Sequence, residues 1–188
     1  MNAGLLIVTL LLLGGCSHLP PVAVPVAPKP QALAVVFDID GTLTPAVMAF
    51  TEVRPDAAKA AHKYADKGYK VIYLSTRVSF LQAGMPDWLK EKGFPLSTLH
   101  VAVTDSDQNN PAVFKARILK EYTARGWRLV GGYGDSSSDF EAYAEAGISK
   151  NRVFALLRRG DATCQTGLWE DCLQGWTEHL SYIEKRID

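Results

Sequence analysis

Paired carboxylates follow the first apolar run of the folded region. Asp38 and Asp40 end that run and precede Gly41 and Thr42, in the stretch DIDGTLT. Side chains alternate along an extended chain, so both carboxylates point the same way. One carboxylate can attack phosphorus while its neighbour protonates the departing oxygen. Gly41 permits a tight turn whose backbone amides can donate to an anion, so Gly41 and Thr42 are candidate phosphate ligands. The alternative is that these residues form an ordinary capped turn.

Hydroxyl and basic side chains occur further along the chain. Ser75 and Thr76 end the next apolar run, and Lys115 lies near the start of a long helical pattern. Hydroxyls at a strand end beside a helix start can hold phosphate oxygens. A lysine could neutralise both the phosphate and the attacking carboxylate. Taken singly, these residues could equally be helix caps and a solvent-facing lysine, so their assignment depends on the other motifs.

Two further carboxylates, Asp135 and Asp139, occur in the stretch GDSSSD after a later apolar run. Together with Asp38 they supply the hard oxygen ligands that Mg²⁺ prefers. Asp139 could instead cap a helix. Four acids gathered at one edge of a sheet would repel one another without a cation. The sequence therefore predicts a Mg²⁺ site around Asp38, Asp40, Asp135 and Asp139.

Apolar runs and helical repeats alternate from residue 32 onward, which predicts an α/β fold with a Rossmann-like, three-layer open parallel sheet. The predicted strands cover residues 33–37, 71–74, 99–103, 129–133 and 152–157. The predicted helices cover residues 55–67, 87–92, 112–125, 139–146 and 176–187. Ligands of such sheets bind beyond the carboxyl ends of the strands. The gaps between motifs are too short for a large cap domain, so we expect an essentially capless site that suits bulky or membrane-bound phosphate esters.

Taken together, the four motifs resemble those of a known enzyme superfamily. DIDGTLT, Ser75, Lys115 and GDSSSD resemble the four motifs of the haloacid dehalogenase (HAD) superfamily in its phosphatase branch. Residues 73–77 (YLSTR) and 131–143 (GGYGDSSSDFEAY) are similar to the catalytic domain of lipins, the phosphatidic acid phosphatases. The resemblance implies a Mg²⁺-dependent phosphomonoester hydrolase with an aspartyl-phosphate intermediate. The lipin likeness suggests a phospholipid substrate such as phosphatidic acid.

The same resemblance implies particular roles. Asp38 would be the nucleophile and Asp40 the general acid and base. Mg²⁺ would be held by Asp38, the Asp40 carbonyl, and Asp135 or Asp139. Phosphate would be bound by Ser75 and Lys115.

The first 31 residues differ in composition from the rest. Residues 5–13 form an apolar run that is too short to span a bilayer but fits a signal peptide, and Gly14-Gly15-Cys16 resembles a bacterial lipobox. An ordinary secretory signal and a buried N-terminal helix are the alternatives. Proline-rich residues 17–31 predict a semi-rigid spacer. We therefore expect a lipoprotein signal peptide (1–16), a linker (17–31) and a HAD-like phosphatase domain (32–188).

Lipidation of Cys16, with palmitate among the acyl chains, would anchor the protein to a membrane of the bacterial cell envelope. Ser17 after the cysteine resembles the outer-membrane sorting pattern, which would leave the domain facing the periplasm. In such an oxidising compartment, Cys164 and Cys172 can close a short disulfide loop. Two unrelated thiols or a weak metal pair are the alternatives.

The charge of the chain bears on its partners. Lys and Arg number 20, as do Asp and Glu, and basic residues do not cluster. We therefore expect a phosphorylated substrate but no nucleic acid partner. A nucleotide or polynucleotide 3′-phosphatase is the second hypothesis, because it shares the motifs but should carry a basic groove. A third, from another class, is a non-catalytic envelope lipoprotein that uses the fold as a binding module.

Overall fold

The computed structural model describes residues 19–186, in which strands and helices alternate. The strands are β1 (Ala32–Asp38), β2 (Lys70–Ser75), β3 (Thr98–Val101), β4 (Trp127–Gly134), β5 (Val153–Leu156) and β6 (Asp171–Leu173). The α-helices are α1 (Ala57–Asp66), α2 (Met85–Glu91), α3 (Asp105–Asn109), α4 (Pro111–Ala124), α5 (Ser137–Glu145) and α6 (Leu180–Arg186). The predicted signal peptide and Cys16 lie outside the described residues.

The six strands form one parallel sheet in the order β3-β2-β1-β4-β5-β6. The chain proceeds from β1 to β2 and β3 on one side, and then crosses to β4 on the other. The strand order therefore reverses between β1 and β4, and a crevice opens there at the carboxyl ends of the strands. The predicted Rossmann-like α/β class is confirmed.

The two faces of β1 build two hydrophobic cores. Val35 and Phe37 belong to a cluster that includes residues of α1, α2 and α6. Ala34 and Val36 belong to a second cluster that includes residues of α4 and α5. Because side chains alternate along the strand and both faces are covered, β1 is apolar throughout. This packing gives the fold its three layers and fixes the end of β1 at the crevice.

Residues 19–31, here called the strap, contain no helix or strand but lie along the domain. Val24 is buried in the second core. The Trp127 indole donates to the Pro25 carbonyl at 2.7 Å, and the Ala27 amide donates to the Arg125 carbonyl at 2.9 Å. The boundary between linker and domain at residue 32 stays a prediction. The strap nevertheless packs on the domain rather than standing off it as a spacer.

The connections at the carboxyl edge of the sheet are short. Residues 39–56 contain no helix or strand, and residues 76–97 contain a 3₁₀ turn (Ser79–Leu81) and α2. Neither connection holds a cap domain, in agreement with the predicted open site.

The C-terminal region is fastened by Cys164 and Cys172, which form a disulfide with their Cα atoms 5.9 Å apart. The bridge joins β6 to the preceding loop. Within residues 19–186, the helices are all too short or too polar to cross a bilayer.

Candidate active site

The loop after β1 turns tightly against the end of β4. Gly41 has a φ of +92°, and a Cβ at this position would lie 1.9 Å from Asp135 Oδ2. Only glycine therefore allows the loop to approach Asp135 so closely. The Gly41 amide donates to Thr44 Oγ1 at 2.8 Å. Buried Arg54 braces the same loop, because it donates to the Gly41 carbonyl at 2.9 Å and to the Thr44 carbonyl at 3.0 Å.

Three buried carboxylates meet where β1 and β4 end. Asp38, Asp135 and Asp139 each offer an oxygen within 4.8 Å of the others. Lys115 of α4 enters this cluster, and its Nζ donates to Asp38 Oδ1 and to Asp139 Oδ1 at 2.5 Å. Arg158, which follows β5, donates to Asp135 Oδ2. The structure thus brings together residues that the sequence places in three separate motifs.

Burial and repulsion from neighbouring carboxylates disfavour the ionisation of Asp38 and Asp135. Burial, and then Asp139, raise the pKa of Asp38 well above its ordinary value, although Lys115 opposes them. The same two causes raise the pKa of Asp135 to about 6, against the effect of Arg158. Burial disfavours the charge on Lys115, but Asp139 and Asp38 more than offset burial, so the pKa of Lys115 is raised. A cation among the carboxylates would stabilise their charged forms.

The carboxylate cluster fits a divalent cation. Asp38 Oδ2 is buried and accepts no hydrogen bond from the residues that the structure describes. A buried acceptor without a donor is costly unless another group engages it. Three carboxylates supply the oxygen donors that Mg²⁺ prefers. Asp38, Asp135 and Asp139 could therefore hold Mg²⁺, whereas the Asp40 carboxylate is not part of the cluster and the use of its carbonyl stays a prediction.

Asp40 has partners of its own. Its carboxylate accepts from Ser75 Oγ at 2.8 Å and from Arg77 Nε at 3.0 Å, and Arg77 Nη2 donates to it as well. The Ser75 hydroxyl also accepts from the Arg77 amide at 3.0 Å. Ser75 therefore positions Asp40 in this structure, and its predicted contact with phosphate stays a prediction.

Asp139 caps a helix and also lies in the carboxylate cluster, while its role as a metal ligand stays a prediction. Its Oδ2 accepts from the amides of Asp135 and Ser136, at 3.1 and 3.0 Å, and closes a capping box at the start of α5. Its other oxygen accepts from Lys115. The capping bonds fix the orientation of the carboxylate, so the cap presents Asp139 to the site.

An open pocket of about 410 Å³ lies over the cluster. Its polar part includes Asp38, Asp40, Thr76 and Lys115. The rest of its wall is apolar and consists of Val47, Met48, Phe50, Val78, Phe80 and Leu81. Thr42, another predicted phosphate ligand, is fully buried, and its Oγ1 lacks a hydrogen-bond partner among the described residues.

Three arginines contribute to the site without having been predicted to do so. Arg77 directly follows Ser75 and Thr76, and Arg158 follows the end of β5, so the rule that ligands bind at strand ends could have found both. Arg54 lies ten residues after Thr44, near the end of the same connection between β1 and α1. No sequence signal marks it, because its partners are backbone carbonyls that only the fold brings within reach.

The fold defines the class: the six-stranded parallel sheet, with the carboxylate cluster beyond the carboxyl ends of its strands, is HAD-like. A similar fold occurs in a HAD-like protein from Mesorhizobium loti, with a TM-score of 0.59 and 17% identity over 88% of this chain and 91% of that one. D,D-heptose 1,7-bisphosphate phosphatase from B. bronchiseptica, in complex with magnesium and phosphate, has a TM-score of 0.53 and 15% identity over 82% and 99%. At these identities the likeness concerns the fold alone.

The chain belongs to the LNS2 family, because residues 35–157 match the family described as PITM 1-3, LNS2 domain. It is 28% identical over 158 residues to membrane-associated phosphatidylinositol transfer protein 1 of Rattus norvegicus, covering 80% of this chain and 12% of the relative. It is 26% identical over 153 residues to phosphatidate phosphatase LPIN3 of Homo sapiens, covering 68% and 18%. The chain thus spans a small part of these relatives. The predicted relation to lipins is confirmed.

Proposed function

We propose that the protein is a Mg²⁺-dependent phosphomonoester hydrolase with Asp38 as its nucleophile. The observation that carries this proposal is the environment of Asp38. One carboxylate oxygen accepts from Lys115, and the other is buried beside Asp135 and Asp139 without a hydrogen-bond donor among residues 19–186. Such a carboxylate is fixed in place, and it faces a pocket that Asp40 also lines.

The reaction would proceed in two steps at Asp38. A carboxylate oxygen of Asp38 attacks phosphorus, the bond from phosphorus to the ester oxygen breaks, and Asp40 gives that oxygen a proton. Asp40 then takes a proton from water, which attacks the phosphorus of the aspartyl phosphate and releases phosphate and the Asp38 carboxylate. Ser75 and Arg77 hold Asp40 in position for both proton transfers.

Charge stabilisation is the second requirement of this chemistry. Lys115 would neutralise negative charge on the transferring phosphoryl group, because its ammonium already lies at Asp38. Asp38, Asp135 and Asp139 would hold Mg²⁺, which when bound supplies further positive charge next to the phosphate oxygens. Gly41 and Thr42 remain candidates for phosphate contacts, since their loop is anchored beside the cluster by Arg54.

The substrate proposed here is a phospholipid with a terminal phosphate, such as phosphatidic acid. The pocket supports this choice because it has a charged floor and an apolar wall that includes Phe50, Leu81 and Val78. A phosphate group and acyl chains would match these two regions. The relation to the phosphatidate phosphatase LPIN3 supports the same substrate class.

Phosphate release tests the proposal. The protein would begin at Ser17, because the strap packs on the domain and a chain beginning at Ala32 would lack it. The substrates are an aryl phosphate, a nucleotide and phosphatidic acid in mixed micelles, each with Mg²⁺ and with a chelator. We expect Mg²⁺-dependent release that is fastest on phosphatidic acid and is abolished in Asp38→Asn.

The other outcomes of this assay select the alternatives. Preference for the nucleotide would replace the lipid substrate by the nucleotide phosphatase hypothesis. Release that persists in Asp38→Asn would contradict the assigned nucleophile. A folded wild-type protein that releases no phosphate from any substrate would favour the binding module.

We further propose that Cys16 carries lipid and anchors the protein in the bacterial envelope, with the outer membrane as the destination. The support is the order of apolar run, small residues and cysteine in the sequence. Incorporation of labelled palmitate into the wild-type chain but not into Cys16→Ser tests this. Equal labelling of both chains would contradict it.

A further inference from the structure

Exposed apolar side chains surround the mouth of the pocket. Among the described residues, Met48 is 75% exposed, Phe80 69%, Val78 42% and Val47 40%, and all four line the pocket. We call these four residues the apolar rim. Single exposed apolar residues are common, but a contiguous patch around a polar site indicates a surface that contacts another apolar phase.

The strap begins beside this rim. The Leu19 amide donates to Gln82 Oε1 at 3.4 Å, and the Gln82 side chain in turn donates to the Arg77 carbonyl at 2.7 Å. Gln82 directly follows the 3₁₀ turn Ser79–Leu81, which carries Phe80. From Leu19 the strap runs down the domain to the start of β1, at the opposite edge of the sheet. Its first described residue is therefore held at the same edge as the site.

The distance from Leu19 to the predicted lipidation site is short. Cys16 precedes Leu19 by three residues, and three residues of fully extended chain span at most about 11 Å. An acyl chain on Cys16 would therefore enter a membrane close to the rim. A spacer free along residues 17–31 could reach roughly five times as far and would impose no orientation.

With Mg²⁺ bound, the charges inside the rim suit an anionic surface. Arg77, Arg158 and Lys115 line the pocket, where they pair with Asp40, Asp135 and Asp38. A cation held by the carboxylate cluster would give this group of charges a net positive sign. Guanidinium groups recognise phosphate through paired hydrogen bonds. Cationic groups encircled by apolar side chains match a bilayer, in which anionic headgroups lie over acyl chains.

We propose that the apolar rim and the start of the strap form a membrane-docking face. It places the pocket against the bilayer that holds the lipid of Cys16. The occupant of this face is a phospholipid surface containing anionic lipid with a terminal phosphate. The identity of the lipid substrate rests on the proposed function. With this docking face, the enzyme would act on lipids of its own membrane.

A fluorescence experiment on the full chain tests the docking. Phe80→Trp and Met48→Trp place probes on the rim, and Leu96→Trp is the matched control because Leu96 is 87% exposed and precedes β3 at the opposite edge of the sheet. The proteins are bound to phosphatidylcholine vesicles containing phosphatidic acid, with brominated acyl chains as quencher. We expect loss of the added emission for both rim probes and none for the control. Equal quenching of rim and control probes, or no quenching of the rim, would overturn the proposal.

A second measurement connects docking to turnover. Replacing Phe80 and Met48 together by Ser should slow phosphate release from vesicle-borne phosphatidic acid about tenfold or more, since each side chain would lose its apolar burial. Leu96→Ser should have no such effect, and all variants should keep the thermal midpoint of the wild type. Equal turnover on vesicles in the double variant would contradict the docking face.

The two proposals fail in different ways. If the rim probes are quenched while the wild type releases no phosphate from any substrate, the proposed hydrolysis is overturned and the docking face stands. If phosphate is released while the rim probes remain unquenched, the docking face is overturned and the hydrolysis stands.

Discussion

Lys115 is the buried cation that two of the site's carboxylates share. Its Nζ lies 2.5 Å from Asp38 and from Asp139, and its side chain is 3% exposed. Removing one partner of a buried ion pair leaves uncompensated charge and typically costs about 3–5 kcal/mol. We predict that Lys115→Met lowers the free energy of unfolding by about 3 kcal/mol in a chelator, and that Mg²⁺ restores part of the loss. Denaturant unfolding with and without Mg²⁺ measures both effects.

A neighbouring lysine provides the control. Lys120 lies on the same helix and pairs with Glu145, but both side chains are about half exposed. Exposed pairs contribute at most about 1 kcal/mol, so Lys120→Met should change stability little and show no dependence on Mg²⁺. Equal losses in the two variants would contradict the role given to Lys115.

Protonation of the carboxylates should compete with Mg²⁺. Burial and Asp139 raise the pKa of Asp135 to about 6, and the pKa of Asp38 is raised as well. Below about pH 6 the metal must displace protons, so the apparent affinity for Mg²⁺ should increase as the pH rises from about 5 to about 7. Calorimetric titration in buffers of different ionisation enthalpy would detect the released protons. An affinity independent of pH over this range would contradict the assigned ligands.

At the scale of elements, the turn after β1 depends on Gly41. An alanine there would be strained by the positive φ, and its Cβ would displace the Asp135 carboxylate. We predict that Gly41→Ala reduces turnover by about 100-fold, since small misplacements of reacting groups cost that much. Kinetics with saturating Mg²⁺ measure the effect.

Gly68 separates the effect of strain from that of contact. It also has a positive φ, of +80°, but a Cβ there would meet nothing within 4 Å. Gly68→Ala should therefore destabilise the fold by about 1 kcal/mol and leave turnover unchanged. Comparable loss of turnover in both variants would mean that strain alone explains the Gly41 result.

The long elements were predictable because their apolar patterns are strong. The runs within β1 and β2 and the repeat along α4 mark strands and a helix, and the structure confirms them. The short elements gave no such signal. β6 comprises three residues, of which Leu173 alone is buried, and α3 (Asp105–Asn109) has no buried residue. Elements with so little apolar surface are set by their neighbours rather than by their own sequence.

The site was predictable to the extent that strand ends define it. Asp38 and Asp139 converge because they follow parallel strands whose carboxyl ends meet at one edge, whereas Lys115 lies on α4 and its assignment depended on the other motifs. The orientation of side chains was not predictable. Ser75 donates to Asp40, a contact that its place in the sequence does not indicate, and Arg54 donates to carbonyls 10 and 13 residues before it. Such contacts depend on the completed packing.

At the scale of the whole molecule, the strap is part of the folded unit. Composition predicted a spacer because proline-rich segments are usually solvated, yet Val24 is 2% exposed and Trp127 bonds to Pro25. We predict that a chain beginning at Ala32 is about 3 kcal/mol less stable than one beginning at Ser17, from lost apolar burial and an unpaired indole. Urea unfolding of the two chains gives the difference. Equal stability would show that the strap is not held in solution.

The strap also connects the anchor to the chemistry. It ties the predicted lipidation site to the edge of the sheet at which Asp38 lies, while the β1–β4 crevice supplies the pocket. The proposed activity and the proposed membrane orientation therefore meet at one face of the molecule, and the activity requires Asp38 to be the group that reacts.

Covalent capture of phosphate on Asp38 tests that requirement most directly. The wild type and Asp38→Asn would be mixed with radiolabelled substrate and Mg²⁺ and quenched in acid within a single turnover, and the labelled peptide would be identified. We predict label on the peptide that contains Asp38 in the wild type and none in the variant. Turnover without labelled protein, or turnover that survives in Asp38→Asn, would contradict the proposed mechanism.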